Sequence, residues 1–376
     1  MIEPVSKVPK VVIKAIKIYK LDIRLRDIFT IATMSLDRAQ NVLVEIITNE
    51  GISGWGEASS LRSIVGETQL INIAAAKELE QILMGKDPLS IHSLVQEMDA
   101  YLPHNTTMKS AVDMALFDIA AKIAGLPLYS FLGGHQREME TDLTMGIGRP
   151  AEAGDKALAI RSMGFRIIKV KLGLNFGDDY ERLRNIRKAV GAEPIIRIDA
   201  NQGWDRMSAV RNLNAFEEFD IEFCEQPCRA QDLQGMRFVS HRTNIPIMAD
   251  ESLFSMVDAL NIIQQDVAPY FNLKLSKSGG IGNAQKIAHV AEAGYRPCMV
   301  GCMSESRLGI TAAAHFAMAN NVVRFFDLDS FYEHAENPIV GGVEIKDGMI
   351  AVPDRPGIGA HPDPDYIKHL DEVKSC

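Results

Sequence analysis

The sequence predicts an α/β protein: a closed barrel of parallel strands preceded by a smaller α+β domain. After Gly133-Gly134, eight short apolar runs alternate with helix-like stretches. Several of these runs end in a charged residue at a near-constant interval. Residues 1–130 follow a different pattern, with paired strands first and helices after them. The length of 376 residues suits a barrel of ~250 residues with an accessory domain of ~100.

Within residues 1–130, the segments 11–20 and 41–48 read as strands. Asn49-Glu50-Gly51 is a turn, and Ile52–Glu57 (ISGWGE) returns as a hairpin. Helical spacing covers 67–84, 90–100 and 107–124, and Gly125-Leu126-Pro127 ends the last helix. The barrel spans 131–340. Its eight runs are Asp142–Met145, Ile167–Leu172, Ile195–Asp199, Ile221–Glu225, Ile247–Asp250, Tyr270–Leu275, Arg296–Val300 and Val323–Asp327. Eight β/α repeats imply closure, and no G-x-G-x-x-G opens a helix as an open dinucleotide-binding sheet would require. Residues 341–376 are too short for a core of their own and are expected to pack back on the N-terminal domain.

The composition narrows the partners. A net charge of −9 without a basic stripe argues against nucleic acid. No apolar stretch approaches the ~20 residues of a membrane span. The start, MIEPVSKVPK, lacks the apolar core of a signal peptide, and five cysteines form no even framework, which fits a reducing cytoplasm. Cys224/Cys228 and Cys298/Cys302 share C-x3-C spacing, but core thiols explain them better than zinc.

The chemistry sits at the strand ends. From Lys171, steps of 28, 26, 25 and 24 residues lead to Asp199, Glu225, Asp250 and Lys274. Such spacing puts one residue per strand at one height, on the rim where barrel active sites form. Asp199, Glu225 and Asp250 end three neighbouring strands. Independent helix caps would explain any one of them, but three together would repel without a cation. Hard oxygen ligands select Mg2+ or Mn2+ over zinc. Glu251 is expected to point away from Asp250 by strand alternation. The same alternation puts Lys169 and Lys171 on one face, toward the barrel mouth. Lys274 stands near the end of the sixth run, opposite the second in a ring of eight, so Lys171 and Lys274 flank the centre. Lys277, beyond the strand and beside Gly279-Gly280, is expected in solvent. Asp327 and Asp329 share a face on the eighth run and could hold an ammonium; a turn pair is the plainer reading. A metal between two lysines suits removal of a proton beside a carboxylate and its return to the other face.

The set Lys169-Val170-Lys171, Asp199-Ala200-Asn201, Glu225-Gln226-Pro227, Asp250-Glu251-Ser252 and Lys274–Gly280 (KLSKSGG) resembles the enolase superfamily, muconate-lactonizing subgroup. The Gly51–Glu57 hairpin extends the resemblance over nearly the whole chain. The resemblance implies a (β/α)7β modified TIM barrel under an N-terminal capping domain. It also implies one Mg2+ on Asp199, Glu225 and Asp250, and Lys171 with Lys274 as the acid–base pair. The seventh run carries no histidine, unlike mandelate-racemase-type members.

Asp327, Asp329 and Leu308–His315 (LGITAAAH) resemble dipeptide epimerases, in which the acid pair binds the substrate ammonium. The resemblance gives Thr144 and Lys169 to the peptide and carboxylate, and Cys302-Met303-Ser304 to the second residue. Members acting on Ala-Glu carry an arginine in a mobile loop near Phe29–Leu36. Met34 stands in its place here, while Arg24 and Arg26 lie too early and Arg38 is a weak match. A buried, unpaired glutamate side chain is costly, so a small or apolar second residue is expected. The expectation is a cytoplasmic, homo-oligomeric, Mg2+-dependent dipeptide epimerase. A cycloisomerase or o-succinylbenzoate-synthase-like lyase is the first alternative, and a non-catalytic metal-binding scaffold the second.

Overall fold

The structure is a computed structural model that describes residues 11–373, so the start of the chain and Cys376 lie outside the described residues. Three antiparallel strands, β1 (Ile13–Ile31), β2 (Met34–Thr48) and β3 (Ser53–Ala58), form the N-terminal sheet in that order. Period-two alternation splits β2 between two cores. Val42, Val44 and Ile46 pack with the helices, whereas Leu43 joins the barrel core beside Tyr19, Leu21 and Trp55. The sheet is therefore sandwiched between its own helices and the barrel.

Those helices are Gln69–Leu83, Ile91–Tyr101 and Thr106–Ala124, close to the sequence expectation. The third lies directly on β3, because Gly56 has no side chain: a Cβ there would come 1.8 Å from the Ala111 carbonyl oxygen. The strands exceed expectation. The segment Phe29–Leu36, read as a mobile loop, is the end of a long hairpin in which Phe29 pairs with Leu36 and Ile31 with Met34.

Eight parallel strands follow in sequential order. They are β4 (Leu143–Met145), β5 (Ile167–Lys171), β6 (Ile195–Asp199), β7 (Ile221–Glu225), β8 (Ile247–Ala249), β9 (Tyr270–Leu273), β10 (Cys298–Val300) and β11 (Val323–Phe326). Helices lie between successive strands, and a 3-10 turn, Ser330–Tyr332, follows β11. Side-chain caps from Asn175, Asp205, Asp232, Ser255 and Ser306 start five of these helices. At the seam the Asp142 amide donates to the Phe326 carbonyl at 3.3 Å.

The tail, expected to pack back on the N-terminal domain, bonds to that domain and to the barrel as well. Thr141 donates to Gly348, the Ile358 amide donates to Asp118 at 2.8 Å, and Val373 donates to Ile18. A segment without its own core gains order by spreading its bonds over both neighbours. No helix of the described residues is long and apolar enough to cross a membrane.

Candidate active site

Lys171 and Lys274, but not Asp199, Glu225, Asp250 or Lys169, line one cavity at the barrel mouth, of about 590 Å³ with its open mouth included. Thr144, Lys171, Lys274, Cys302, Met303, Ser304, Asp327 and Asp329 line it. Lys171 extends from the last residue of β5, and Lys274 follows β9, across the ring.

The carboxylates lie below, fully buried. Asp199 Oδ2 is 2.6 Å from Lys171 Nζ and 3.5 Å from Lys169 Nζ. Glu225 Oε2 is 2.6 Å from Lys169 Nζ, and Asp250 Oδ2 is 2.8 Å from Lys274 Nζ. None of the three caps a helix: Asp199 Oδ1 accepts from the Asn201 amide at 2.8 Å, and Asp205 caps the following helix. Two non-glycine residues just past these ends, Asn201 and Gln226, have φ of 40° and 34°. Such sparsely populated backbone needs surrounding bonds to hold it. Gln226 has them: its amide donates to Met248 at 2.9 Å, and its side-chain oxygen accepts from the Asp250 amide at 2.9 Å. This brings the ends of β7 and β8 side by side.

Burial, and then the neighbouring Asp199 charge, push the Glu225 carboxyl up to about 7. Burial also opposes the charge on Asp250, but the Lys274 and Lys277 ammonium groups outweigh it and hold its pKa well below the usual range. Lys274 behaves reciprocally: burial disfavours its charge, yet Asp250 and Glu225 keep its pKa raised. Burial likewise opposes the Lys169 charge, but Asp327, Glu225 and Asp199 raise its pKa well above normal.

Two expectations are corrected. Lys277 is buried, not solvated; it donates to the Asp250 carbonyl at 2.6 Å and also contacts Asp250 Oδ1. The chain past Lys274 turns into a short helix, Leu275–Ser278, which folds Lys277 back under the rim. Glu251 does not point away either. Strand β8 ends at Ala249, so alternation no longer applies, and Glu251 accepts from Asn201 Nδ2 at 3.3 Å. Burial and then Asp250 raise its carboxyl to about 8.

The residues present fit a hard divalent cation. Glu251 Oε2 and Asn201 Oδ1 are buried oxygens without a hydrogen-bond donor, and Glu225 Oε2 has only the Lys169 ammonium beside it. Four carboxylates crowd the spot, and oxygen-only donors suit Mg2+. A more compact knot lies elsewhere: Cys302 Sγ and oxygens of Asp327 and Asp329 fall within 4.8 Å of one another. A thiol does not suit Mg2+, whereas the oxygen-only set does. Asp327 binds Lys169 Nζ at 2.7 Å, and Asp329 Oδ2 accepts from the Thr144 amide at 2.6 Å. Asp329 Oδ1 receives only the Cys302 thiol, at 3.6 Å. Burial and then Asp327 raise the Asp329 carboxyl to about 7. Cys224, Cys228 and Cys298 are buried free thiols, and Cys302 is a half-buried one.

Met34 is absent from the residues lining this cavity. It lines a neighbouring one near the hairpin tip, where its sulfur accepts from Ser63 Oγ at 3.0 Å. The wall that hangs over the lysines is instead Leu25, Phe29, Ile31, Leu36, Leu61 and Ile64. Among the described residues no arginine lines this cavity.

A barrel with two lysines facing each other over a buried carboxylate cluster defines a class, and the sequence matches agree with it. Residues 14–133 match the mandelate racemase / muconate lactonizing enzyme N-terminal domain, and residues 152–366 match the enolase C-terminal domain-like family. The chain belongs to this family. It is 39% identical to the D-Ala-D/L-Ala epimerase of Cytophaga hutchinsonii, over 96% of this chain and 99% of that one. It is 38% identical to the L-Ala-D/L-Glu epimerase of Clostridium acetobutylicum, over 93% and 98%. The crystal structure of the Cytophaga hutchinsonii dipeptide epimerase with Mg and D-Ala-L-Val superimposes with a TM-score of 0.95, at 39% identity, covering 96% of this chain and 99% of that one.

Proposed function

We propose that this protein is a Mg2+-dependent dipeptide epimerase that inverts the α-carbon of the second residue and prefers a small or apolar side chain there, as in Ala-Ala or Ala-Val. One observation carries the reading: Lys171, Lys274 and the Asp327/Asp329 pair share a cavity whose remaining wall is largely apolar and has no arginine. The relatives act on dipeptides but differ in the second residue, so this wall decides the preference.

Asp199, Glu225 and Asp250 would hold the metal. Bound there, Mg2+ would supply positive charge to offset the negative charge that develops on the substrate carboxylate as the α-proton leaves. Lys171 and Lys274 then stand on opposite sides of the α-carbon. One, as the neutral amine, takes the α-proton on Nζ, and the other returns a proton to the opposite face. Asp329 Oδ1 and Asp327 accept hydrogen bonds from the substrate ammonium, and Thr144 orients both acids. Lys169 contacts the substrate carboxylate and balances the acids around it. The hairpin residues Phe29, Ile31 and Leu36 cover the second side chain and exclude water.

The test is mass spectrometry of mixed L,L and D,L dipeptides incubated with the protein and Mg2+ in D2O. A one-dalton gain in Ala-Val and Ala-Ala, lost with EDTA, is expected. Turnover of Ala-Glu tenfold better than Ala-Val would defeat the specificity reading, and no exchange in any dipeptide would defeat the epimerase reading.

A further inference from the structure

The wall formed by Cys302, Met303 and Ser304 is held from outside the barrel, and we propose that Asn41, itself held by Glu57, and Ser59 are positioning residues for substrate selection. The choice of substrate rests on the dipeptide reading above; the hold on the wall rests on geometry alone.

Asn41 lies on β2 and is 1% exposed. Its Nδ2 donates both to Glu57 Oε1 at 2.7 Å and to the Ser304 carbonyl at 2.8 Å. The Ser304 amide donates to Ser59 Oγ at 3.2 Å. Both backbone polar groups of Ser304 are thus bound by the N-terminal domain, although Ser304 lies on the loop after β10.

Glu57 extends the hold to the next helix. It is fully buried on β3, and its Oε1 accepts from the Ser306 amide at 2.8 Å. Oε2 accepts from Ser306 Oγ at 2.6 Å and from the Gly309 amide at 3.0 Å. A carboxylate from one domain therefore caps a helix of the other, Arg307–Ala319, at its positive end. Gly309 permits the approach: a Cβ there would lie 3.1 Å from Glu57 Oε2 and 2.7 Å from Glu305 Cγ. From the barrel side, Glu305 Oε2 accepts the Met303 amide at 2.6 Å.

The loop 301–306 has no strand or helix ladder of its own. Without Asn41 and Ser59, Ser304 loses its fixed partners, and binding a side chain against this wall must first order it. The lysines stand on other elements, β5 and the end of β9, and do not depend on these bonds. Loosening the wall therefore raises KM and leaves the proton-transfer step alone.

The test compares wild type with Asn41→Ala and with the milder Ser59→Ala. Two readouts are taken: amide hydrogen exchange across 301–306, and steady-state kinetics on Ala-Ala and Ala-Val. Exchange at Ser304 should accelerate about tenfold in Asn41→Ala. KM for Ala-Val should rise about fivefold, that for Ala-Ala less, with kcat within about twofold. A purely structural role would lower Tm without separating the two dipeptides. Unchanged exchange in both variants, or a loss confined to kcat, overturns the proposal. A wild-type protein inert on every dipeptide defeats the substrate reading and with it the selection role, while the exchange data alone decide whether Asn41 and Ser59 hold the wall.

Discussion

Gln226 Oε1 accepts the amides of Asp250 and Ser252 at 2.9 and 3.2 Å, so one side chain at the end of β7 organises the end of β8. The same side chain donates from Nε2 to Ser252 Oγ at 2.8 Å. Gln226→Leu keeps the bulk and removes these bonds. It leaves a buried Asp250 amide without an acceptor and frees Asp250 to move relative to Glu225. Mg2+ affinity measured by titration calorimetry should fall ~10–100-fold, the cost of losing an outer partner of a ligand set. An unchanged affinity would show that Gln226 does not set the carboxylate geometry.

Lys274→Ala separates proton transfer from metal binding. Epimerisation should fall by at least ~10²-fold, because one face of the α-carbon loses its acid–base group. The carboxylates remain, so Mg2+ should still bind. Deuterium exchange into a single stereoisomer should survive through Lys171. A variant that still epimerises at near wild-type rate would show that the two-lysine assignment is wrong.

Asp327→Asn distinguishes an epimerase from a lyase on the same barrel. Burial opposes the Asp327 charge, but Lys169 and Lys171 outweigh it and hold its pKa well below normal, so the wild-type group is a carboxylate near neutrality. The amide loses that charge toward both Lys169 and a substrate ammonium. Turnover of Ala-Val, as kcat/KM, should drop roughly 10²-fold, as for a truncated buried charge pair. A lyase has no ammonium to hold, and its activity should tolerate the change. Circular dichroism guards against loss of fold, since Lys169 also loses a partner.

The strand ends are legible in sequence because two independent regularities coincide there: apolar runs of strand length and a near-constant step between Lys171, Asp199, Glu225, Asp250 and Lys274. Lys277 is misread because the reading depends on where the chain goes after its strand. Here it turns at once into Leu275–Ser278, a segment too short to show a helical period. Glu251 fails for a related reason: alternation holds within a strand, and β8 has ended one residue before Asp250. Met34 fails because one position in a hairpin cannot be aligned before its register is known. The expectation attached to it, a wall without a guanidinium, is carried by Leu25, Phe29, Ile31 and Leu36. Asn41 and Glu57 read only as strand residues, since their partners are Ser304 and Ser306, about 250 residues downstream.

His315, in the stretch LGITAAAH, has a structural role that predicts acid sensitivity. Its Nδ1 accepts from the Tyr129 amide at 3.0 Å, so Nε2 carries the proton and donates to the Ile358 carbonyl at 3.0 Å. The ring thereby joins the helix Arg307–Ala319 to the returning tail. Protonation would set an N–H against the Tyr129 N–H, and burial, opposed by the hydrogen bond to the Ile358 carbonyl, lowers the pKa to about 4 from an ordinary 6.5. The folded state thus binds the proton more weakly than the unfolded chain does. Stability from this group is complete above about pH 6.5 and is lost as the pH falls toward 4. Between pH 7.5 and 5.0 the loss should be about 2 kcal/mol from this residue. His334, also lowered to about 4 by burial, adds a loss of the same sign. Urea unfolding at the two pH values, for wild type and His315→Gln, isolates the share of His315. The variant keeps a donor and an acceptor but cannot titrate, so its drop in stability should be smaller by about 2 kcal/mol. Equal drops in both proteins would mean that His315 is protonated in the folded state at pH 5.0, or that its neutral form is not what the fold selects.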